Sequence, residues 1–315
     1  MECALRSAMI FCSTGRLFQV EKRMLLLVNP NAGKSGYKNI LGDILHIFCD
    51  GGWKPTVFFT RGPGDAGSII ERNAPDYDLA VCLGGDGTLS EVASGMVRLG
   101  QRGLPIGYIP LGTTNDVART LGISPKPLEA ARAILREHAV NYDIGVFGVD
   151  KHFTYVAGFG AFTEVSYATP QESKQALGHL AYMLEGIRRL PMLTDYHAIV
   201  EYDDGVLEDD FVFGAVTNST SVAGLVRLDA ENIGLDDGMF EVILVRKPQD
   251  LLDFSNIIAS ILSSDFSGDN VLFLKSSEVR FLFDEPVAWT RDGEDGGKHR
   301  DVYISNCHPG IRILV

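Results

Sequence analysis

The chain has 315 residues, with 28 Lys and Arg against 41 Asp and Glu, which gives a formal net charge of −13. This acidic balance excludes a strongly basic nucleic-acid-binding protein, so no nucleic-acid partner is expected. Hydrophobic residues make up 45% of the chain and charged residues 22%, a composition typical of a globular protein with a substantial core. The length favours two domains, and one large domain stays open.

The amino-terminal residues and the cysteines indicate the cellular compartment in which the protein is expected. Five scattered cysteines include no Cys-x-x-Cys pair, which indicates neither a disulfide framework nor a zinc site and favours a reducing cytoplasm. No apolar run approaches the ~20 residues that cross a bilayer, so no transmembrane segment is expected. Residues 1–23 lack the apolar core of a signal peptide. We interpret them as a tail, with an upstream start-codon assignment as a hypothesis.

From residue 24 onward, short apolar runs alternate with segments of helical period, a pattern typical of a parallel sheet covered by helices. The predicted strands are 24–29, 55–60, 79–83 and 104–109. The predicted helices are 37–50, 65–73, 88–99 and 128–137. Each strand ends in turn residues, and ligands of such sheets bind beyond the carboxyl ends of the strands. The chemistry is therefore expected at that edge.

After about residue 141 the strands are more closely spaced, which predicts a β-rich second half. Its predicted strands are 154–158, 197–202, 211–216, 240–245, 279–283, 302–305 and 311–315. Two predicted helices interrupt them, one with Leu177, Leu180, Leu184 and Ile187 on a single face and one over residues 251–262. We place a domain boundary near residue 145.

The strongest chemical signal is Gly-Gly-Asp-Gly-Thr at 84–88, between a buried strand and a helix. Glycine lets backbone amides approach a phosphate chain closely, and the helix N-terminus adds partial positive charge. Since a bare carboxylate would repel phosphates, Asp86 is expected to act through Mg²⁺ or an ordered water, or to accept a sugar hydroxyl. The alternative is a tight glycine-rich turn in which Asp86 caps the helix.

A second loop, Asn-Pro-Asn-Ala-Gly-Lys-Ser at 29–35, follows the first strand and resembles the second half of a Walker A loop. The first glycine of that motif would fall at position 28, which is Val28, so a P-loop NTPase is excluded. A different nucleotide loop would place Gly33 and nearby amides on phosphate oxygens, with Lys34 as an optional charge. A plain strand-ending turn is about equally favoured.

A third segment, Pro-Leu-Gly-Thr-Thr-Asn-Asp at 110–116, ends the fourth strand. Thr113 or Thr114 can cap the next helix, but capping does not require four polar residues in succession. Asp116 is therefore a second acidic candidate at the edge that carries Asp86, and two aspartates in one crevice indicate a divalent cation. Asp143 lies within a strand pattern, where a buried and hydrogen-bonded carboxylate is the more common outcome.

Together these segments resemble the diacylglycerol kinase catalytic-domain family, in particular its soluble bacterial lipid kinases. The resemblance covers about residues 24–315 and rests on six motifs: NPNAG, GGDGTLSEV, IPLGTTNDVARTLGI, KQALGHLAYMLEGI at 174–187, LDDGMFEV at 235–242, and DGE at 292–294. GGDGT is shared with NAD kinases and phosphofructokinases, whereas GTTND with LDDG and a late DGE is more specific. The departures are Ser90 in place of Asn, Ala32 in place of Ser, and the tail.

The resemblance implies an α/β protein of two domains. Residues 24–145 would form a three-layer α/β nucleotide-binding domain, and residues 146–315 a β-sandwich domain for the lipid substrate, with the C-terminal strand able to return to the first domain. The implied activity is Mg²⁺- and ATP-dependent phosphoryl transfer to a lipid hydroxyl. Diacylglycerol is the favoured acceptor, and ceramide, sphingoid bases, monoacylglycerol and undecaprenol stay open.

The resemblance also implies roles for particular residues. The nucleotide contacts would be Asn29, Pro30, Asn31, Ala32, Gly33, Thr60, Gly84, Gly85, Gly87, Thr88, Leu89, Ser90, Glu91 and Thr113. The general base would be Glu294, and Asp86, Asp116 and Asp143 would form a carboxylate and water network around the catalytic Mg²⁺. A second, structural Mg²⁺ would be held by Asp237 with the backbone carbonyls of Gly234 and Met239.

Without the resemblance, two of these assignments have plainer interpretations. Glu294 lies in a hydrophilic string between two strands, which by itself favours a solvated hairpin loop. The Asp-Asp-Gly sequence that contains Asp237 favours a type I turn that joins strands. Only the resemblance to the family turns these segments into a base and a metal site.

Contact with a lipid surface requires a local basic and apolar patch, because a protein with a net charge of −13 is repelled by anionic lipid. Lys174, Arg188 and Arg189, with apolar residues 190–193, would form a basic and apolar lip for brief contact, although a packed helix with extended arginines is slightly favoured. We expect a cytoplasmic protein with transient peripheral membrane association, and a homodimer stays open. Two rival functions remain: an NAD kinase-like enzyme, and a catalytically weak lipid-binding regulator, which Ser90 alone suggests.

Overall fold

The computed structural model describes residues 21–100, 103–160, 194–219, 221–222, 226–227 and 234–315. The predicted helical face at Leu177–Ile187 and the lip of Lys174, Arg188 and Arg189 lie outside the described residues, as do residues 1–20 of the predicted tail. Among the described residues, no helix is both long and apolar enough to cross a membrane.

The first half of the chain forms a parallel sheet in the order β2-β1-β3-β4. Its strands are β1 (Lys22–Val28), β2 (Trp53–Phe59), β3 (Leu79–Gly84) and β4 (Ile106–Pro110). All six residues of β3 are buried, because helices cover a parallel sheet on its faces and every side chain meets apolar surface. We call residues 22–135 the parallel region.

The helices of the parallel region follow the predicted order. They are α1 (Leu41–Asp50), α2 (Asp65–Asn73), α3 (Asp86–Leu99), α4 (Asp116–Thr120) and α5 (Pro127–Ile134). The helix predicted over 37–50 is wrong in its first turn, because a 3₁₀ helix (Ala32–Asn39) precedes α1. A second 3₁₀ helix (Ala74–Asp76) follows α2.

The second half is antiparallel, apart from one pairing described below, and we call residues 139–312 the antiparallel region. Its first strands are β5 (Ala139–Phe147), β6 (Lys151–Phe153), β7 (Val156–Gly160), β8 (Tyr196–Tyr202), β9 (Gly205–Thr217), β10 (Ser221–Val222) and β11 (Val226–Arg227). They are followed by β12 (Phe240–Arg246), α6 (Leu251–Ser263), β13 (Val271–Ser276), β14 (Glu278–Arg291) and β15 (Glu294–Leu314). The mixed α/β fold class is thereby confirmed. The predicted domain boundary near residue 145 lies inside β5, and the division into two domains stays a prediction.

Four strands of the antiparallel region close into a ring. Both β7 and β8 pair with β9 and with β14, β8 at one end of these two long strands and β7 at the other. Phe159, Phe283 and Trp289 pack there, and the Phe159 ring centroid lies 5.0 Å from each of the other two. Aromatic burial of this kind is a main source of core stability.

Strand β15 connects the two regions. It pairs with β14 from Glu294 and then with β5, and its last residues, Ile313 and Leu314, pair in parallel with Ile106 and Gly107 of β4. Sequence analysis predicts two short strands at 302–305 and 311–315, with a hydrophilic loop before them. That interpretation is wrong for residues 294–301, because the alternating exposed side chains of a surface strand resemble a loop in composition.

The ring predicts a difference between two glycines of β9. A Cβ on Gly214 would overlap the Phe159 ring, whereas a Cβ on Gly205 would lie 3.8 Å from its nearest contact, the Tyr202 hydroxyl. Gly214→Ala should therefore lower the free energy of unfolding by about 1–3 kcal/mol through overpacking, and Gly205→Ala should change it by less than about 1 kcal/mol. Urea unfolding of both variants measures the difference, and equal effects would contradict the close packing at Gly214.

Candidate active site

Four loops meet at the carboxyl edge of the parallel sheet. Asn29, which follows β1, donates from Nδ2 to Thr88 Oγ1 at 2.8 Å, and its backbone amide bonds Leu83 of β3 at 3.0 Å. Leu111, which follows β4, donates from its amide to the Gly84 carbonyl at 2.7 Å. The Thr60 amide, after β2, donates to the Val28 carbonyl at 3.0 Å. The motifs that sequence analysis singles out therefore share one crevice.

The loops approach so closely that side chains would not fit at two glycines. Gly33 has φ = +56°, and a Cβ there would lie 2.6 Å from the Leu111 carbonyl oxygen. A Cβ on Gly112 would lie 2.8 Å from Gly85 Cα. Real Cβ atoms do not tolerate such distances, so glycine is required at both positions. The three loops therefore approach one another at backbone distance, the close packing that a phosphate site built from backbone amides requires.

Asp86 is the first residue of α3, and Gly85 rather than Asp86 occupies the N-cap position. The Asp86 side chain is buried, and its Oδ2 accepts from Thr114 Oγ1 at 3.3 Å, whereas Oδ1 has no hydrogen-bond partner among the described residues. Burial and the nearby Asp116 carboxylate raise the pKa of Asp86, while the backbone amides of Asp116 and Val117 oppose this. A buried oxygen without a donor is what a cation ligand would present.

Asp116 begins α4 and is also buried. Burial raises the pKa of its carboxyl, and the Arg119 guanidinium, 3.3 Å away, counteracts part of this effect. Two adjacent buried carboxylates with one exposed arginine leave negative charge uncompensated. The Asp86 and Asp116 pair therefore fits a Mg²⁺ ion bound to the phosphates of a nucleotide. Among the described residues no three His, Cys, Asp or Glu side chains converge, so phosphate or water oxygens would complete the coordination.

Glu294 reaches the same crevice from the antiparallel region. It is the first residue of β15, and a Cβ placed on Gly87 would lie 3.0 Å from Glu294 Oε1. The preceding residues, Asp292 (φ = +47°) and Gly293 (φ = +80°), form the two-residue turn between β14 and β15, the geometry that Asp-Gly favours. The loop is thus limited to the turn at residues 292–293, and Glu294 begins the strand that follows it, with its carboxyl at the start of α3.

Glu294 is an exposed residue whose carboxyl lies against the start of α3. Partial burial of this carboxyl raises its pKa, the nearby carboxylates of Glu91 and Asp292 add to the rise, and Arg291 lowers it. A general base is most effective when its pKa lies near the operating pH, so this shift is in the useful direction.

Two of the expected nucleotide contacts have other partners. Glu91 Oε1 accepts from the Gly64 amide at 2.7 Å and Oε2 from the Ala66 amide at 3.0 Å, so its carboxylate holds the start of α2. The Leu89 side chain is fully buried in the core of the parallel region. Both side chains therefore contact other parts of the protein, and at Leu89 only the backbone is available to contact a nucleotide.

Asp143 lies fully buried away from direct contact with the other aspartates. Its Oδ1 is 2.8 Å from His308 Nδ1, and its Oδ2 accepts from the Gly238 amide at 2.8 Å. No hydrogen bond links it to Asp86 or Asp116 in the part of the chain that the structure describes. A direct carboxylate network of the three is therefore not what the geometry presents, and the role of Asp143 at the catalytic Mg²⁺ stays a prediction.

The turn that carries Asp237 gathers the residues expected for a second cation. Asp237 Oδ1 accepts from the Met239 amide at 3.0 Å, and a Cβ on Gly234 would overlap the Asp237 carboxylate. Sequence analysis misses Glu241, which is fully buried within an apolar run and has no hydrogen-bond partner for either oxygen among the described residues. Burial raises the pKa of Glu241 to about 7.

A lysine lies between these two carboxylates. Lys275 Nζ is 3.9 Å from Asp237 Oδ2 and 3.7 Å from Glu241 Oε1. These distances exceed a hydrogen bond, so the ammonium only partly compensates two acidic groups. The donor set therefore fits a cation, with the Gly234 and Met239 carbonyls as further oxygen ligands. The signal available in the sequence is a glutamate inside the otherwise apolar run MFEVILV at residues 239–245.

Comparison with known proteins agrees with this geometry. Residues 23–147 match the model of the diacylglycerol kinase catalytic domain. The chain is 34% identical to a diacylglycerol kinase of Bacillus subtilis, over 93% of this chain and 96% of that protein, and 32% identical to one of Staphylococcus carnosus, over 89% and 90%.

The solved structures give the same result. A crystal structure of a putative diacylglycerol kinase from Bacillus anthracis superposes with a TM-score of 0.77 at 27% identity, over 93% of this chain and 96% of that one. The similarity to both sets of relatives extends over both regions of the fold. The resemblance recognised from the motifs is confirmed, and this chain belongs to the diacylglycerol kinase family.

Proposed function

We propose that the chain is an ATP-dependent lipid kinase that transfers the γ-phosphoryl group of ATP to the free hydroxyl of diacylglycerol, with phosphatidic acid as the product. The observation that carries the proposal is the position of Glu294 against the glycine-rich start of α3, next to Asp86. The choice of diacylglycerol as acceptor is supported by the names of the relatives in Bacillus and Staphylococcus.

Phosphoryl transfer depends on positioning and charge neutralisation more than on covalent help from the protein. In our proposal the loops at 29–33, 84–88 and 112–114 bind the phosphates of ATP through backbone amides. Asp86 and Asp116 would hold Mg²⁺, which when bound would neutralise charge on the phosphates. Glu294 accepts the proton of the acceptor hydroxyl as that oxygen forms a bond to the γ-phosphorus. The bond from this phosphorus to the β–γ bridging oxygen breaks, and ADP leaves.

We further infer that the parallel region is a nucleotide-binding domain and the antiparallel region a lipid-substrate domain. The division is supported by a hydrophobic core that lies wholly within the antiparallel region, whereas the core of the parallel region also takes in Tyr142, Ile144, Tyr155 and Ile311. It is also supported by the source of the groups, because the glycine-rich loops come from the first region and Glu294 from the second. The acceptor is a lipid, so we expect brief contact with a membrane surface during each turnover.

An assay with γ-labelled ATP over a panel of lipids, resolved by chromatography of the organic extract, tests the activity. We expect label in phosphatidic acid when diacylglycerol is supplied. Label in a water-soluble dinucleotide instead would favour the NAD kinase-like alternative. Absence of steady turnover with every lipid would favour a regulatory protein, and transfer to ceramide, a sphingoid base, monoacylglycerol or undecaprenol would revise the acceptor.

Glu294→Gln keeps the size of the side chain and removes its basicity. We expect kcat to fall by about 10²–10⁴-fold, the usual contribution of a positioned general base, with little change in the KM for ATP because the residue faces the acceptor. Glu285→Gln, on the same β14–β15 pair but exposed and bonded to Arg300, is the control. Wild-type turnover of Glu294→Gln would leave Asp116 or Asp143 as the base, and a parallel loss of ATP affinity would indicate a nucleotide or metal ligand.

Asp237→Ala tests the second cation, which we propose to be a structural Mg²⁺. Magnesium that binds only the folded protein raises its melting temperature, so we expect a lower melting temperature for the variant and a reduced stabilisation by added magnesium. Asp236→Ala removes the neighbouring exposed carboxylate and should leave both values near wild type. If the melting behaviour holds and only the rate falls, the ion is catalytic.

A further inference from the structure

The hairpin tip that precedes Glu294 contains a buried carboxylate that the proposed mechanism does not use. Asp292 is the first residue of the two-residue turn between β14 and β15, a position that is ordinarily open to solvent. Its side chain is nonetheless buried. An Asp-Gly turn needs only a small polar residue at this position, so the turn alone does not explain a buried anion.

The Asp292 carboxylate is fully occupied by donors from one short segment. Its Oδ2 accepts from the Thr154 amide at 2.7 Å and from Thr154 Oγ1 at 2.9 Å. Its Oδ1 accepts from the amides of Tyr155 at 3.0 Å and Val156 at 3.2 Å. The Asp292 amide in turn donates to the Val156 carbonyl at 2.8 Å. Five hydrogen bonds therefore fix the hairpin tip on residues 154–156.

These contacts separate Asp292 chemically from the other acidic residues at the crevice. A carboxylate that accepts four hydrogen bonds has its lone pairs in use, so Asp292 is unsuited to bind Mg²⁺ or to accept a substrate proton. Asp86 has a buried oxygen with no donor among the described residues. The difference indicates a positioning function for Asp292 rather than a chemical one.

The position that Asp292 controls is that of Glu294, two residues along the chain. Arg291 and Glu294 are the first paired residues of the β14–β15 ladder, and the register shifts by one residue between Trp289 and Thr290. The end of this ladder is therefore only weakly fixed by its own pairing. The bonds from residues 154–156 tie the tip to β7, which is itself paired with β9 and β14.

We propose that Asp292 is the positioning residue of the catalytic base: by accepting four hydrogen bonds from residues 154–156, it holds Glu294 at the start of α3. This proposal rests on the proposed role of Glu294. Position 292 requires a side chain that only accepts hydrogen bonds, because all four of its partners are donors. Asparagine is equally suited to the turn but would direct an amide nitrogen at donors.

The test is a double-mutant cycle on kcat with Asp292→Asn and Glu294→Gln. A misplacement of about 1 Å commonly costs about 10²-fold in rate, so we expect Asp292→Asn alone to lower kcat by about 10–100-fold with the KM for ATP within about twofold of wild type. In the Glu294→Gln background it should lower kcat by less than about threefold, because there is no base left to position. An equal factor in both backgrounds, or wild-type kcat for Asp292→Asn, would overturn the proposal.

Two further variants keep the result decisive if Asp292→Asn does not fold. Thr154→Val removes one of the four donors at nearly constant volume, and it should lower kcat about 3–10-fold in the wild-type background only. Asp295→Asn removes a charge from the same hairpin, where Asp295 bonds only the Gly297 amide among the described residues, and should leave kcat unchanged. If Glu294→Gln alone keeps wild-type turnover, the base assignment fails and the positioning proposal fails with it. If Glu294→Gln lowers kcat but Asp292→Asn lowers kcat by the same factor in both backgrounds, only the positioning proposal is refuted and the base assignment stands.

Discussion

Strand β15 starts at the candidate active site with Glu294 and ends in the parallel region, where Ile313 and Leu314 pair with β4. Strand β4 leads directly into the loop that carries Asp116. One continuous strand therefore joins the hairpin that carries the proposed base to the parallel region that carries the magnesium-binding candidates. A residue on a paired strand is held more precisely than one on a loop. Glu294 and Asp116, 178 positions apart in the sequence, thus belong to two regions that share a backbone ladder.

The acidic groups of the crevice divide by their supply of hydrogen-bond donors. Glu91 accepts from two backbone amides, and Asp292 accepts four hydrogen bonds, so their charges are stabilised within the protein. Asp86 and Asp116 are equally buried but have few donors, and burial raises the pKa of both. Carboxylates of the first kind build the site. Those of the second kind leave negative charge with few donors to stabilise it, an arrangement that suits a bound cation.

Sequence patterns predict the parallel region well because its central strands, β1, β3 and β4, are buried on both faces and read as nearly continuous apolar runs. They also locate the glycine-rich crevice, since phosphate binding demands glycine at particular points. They fail for the start of β15, where exposed side chains hide a strand. Sequence patterns also do not reveal hydrogen-bond partners. Nothing in the sequence distinguishes Asp292, whose carboxylate is hydrogen-bonded by residues 154–156, from Glu294, whose carboxylate faces the start of α3. That distinction depends on a segment 138 positions away.

Strand β5 links the candidate active site to the turn of Asp237 through two adjacent residues. Asp143 faces the turn and accepts from Gly238, whereas the Tyr142 hydroxyl lies 2.9 Å from the Thr154 carbonyl, in the segment that clamps Asp292. Successive side chains of a strand point to opposite faces, so Tyr142 can contact the segment around Thr154 while Asp143 contacts the turn of Asp237. A cation that orders the turn would also steady β5, and through it the donors that hold the base. The proposed second cation site is thereby connected, through β5, to the segment that holds the proposed base.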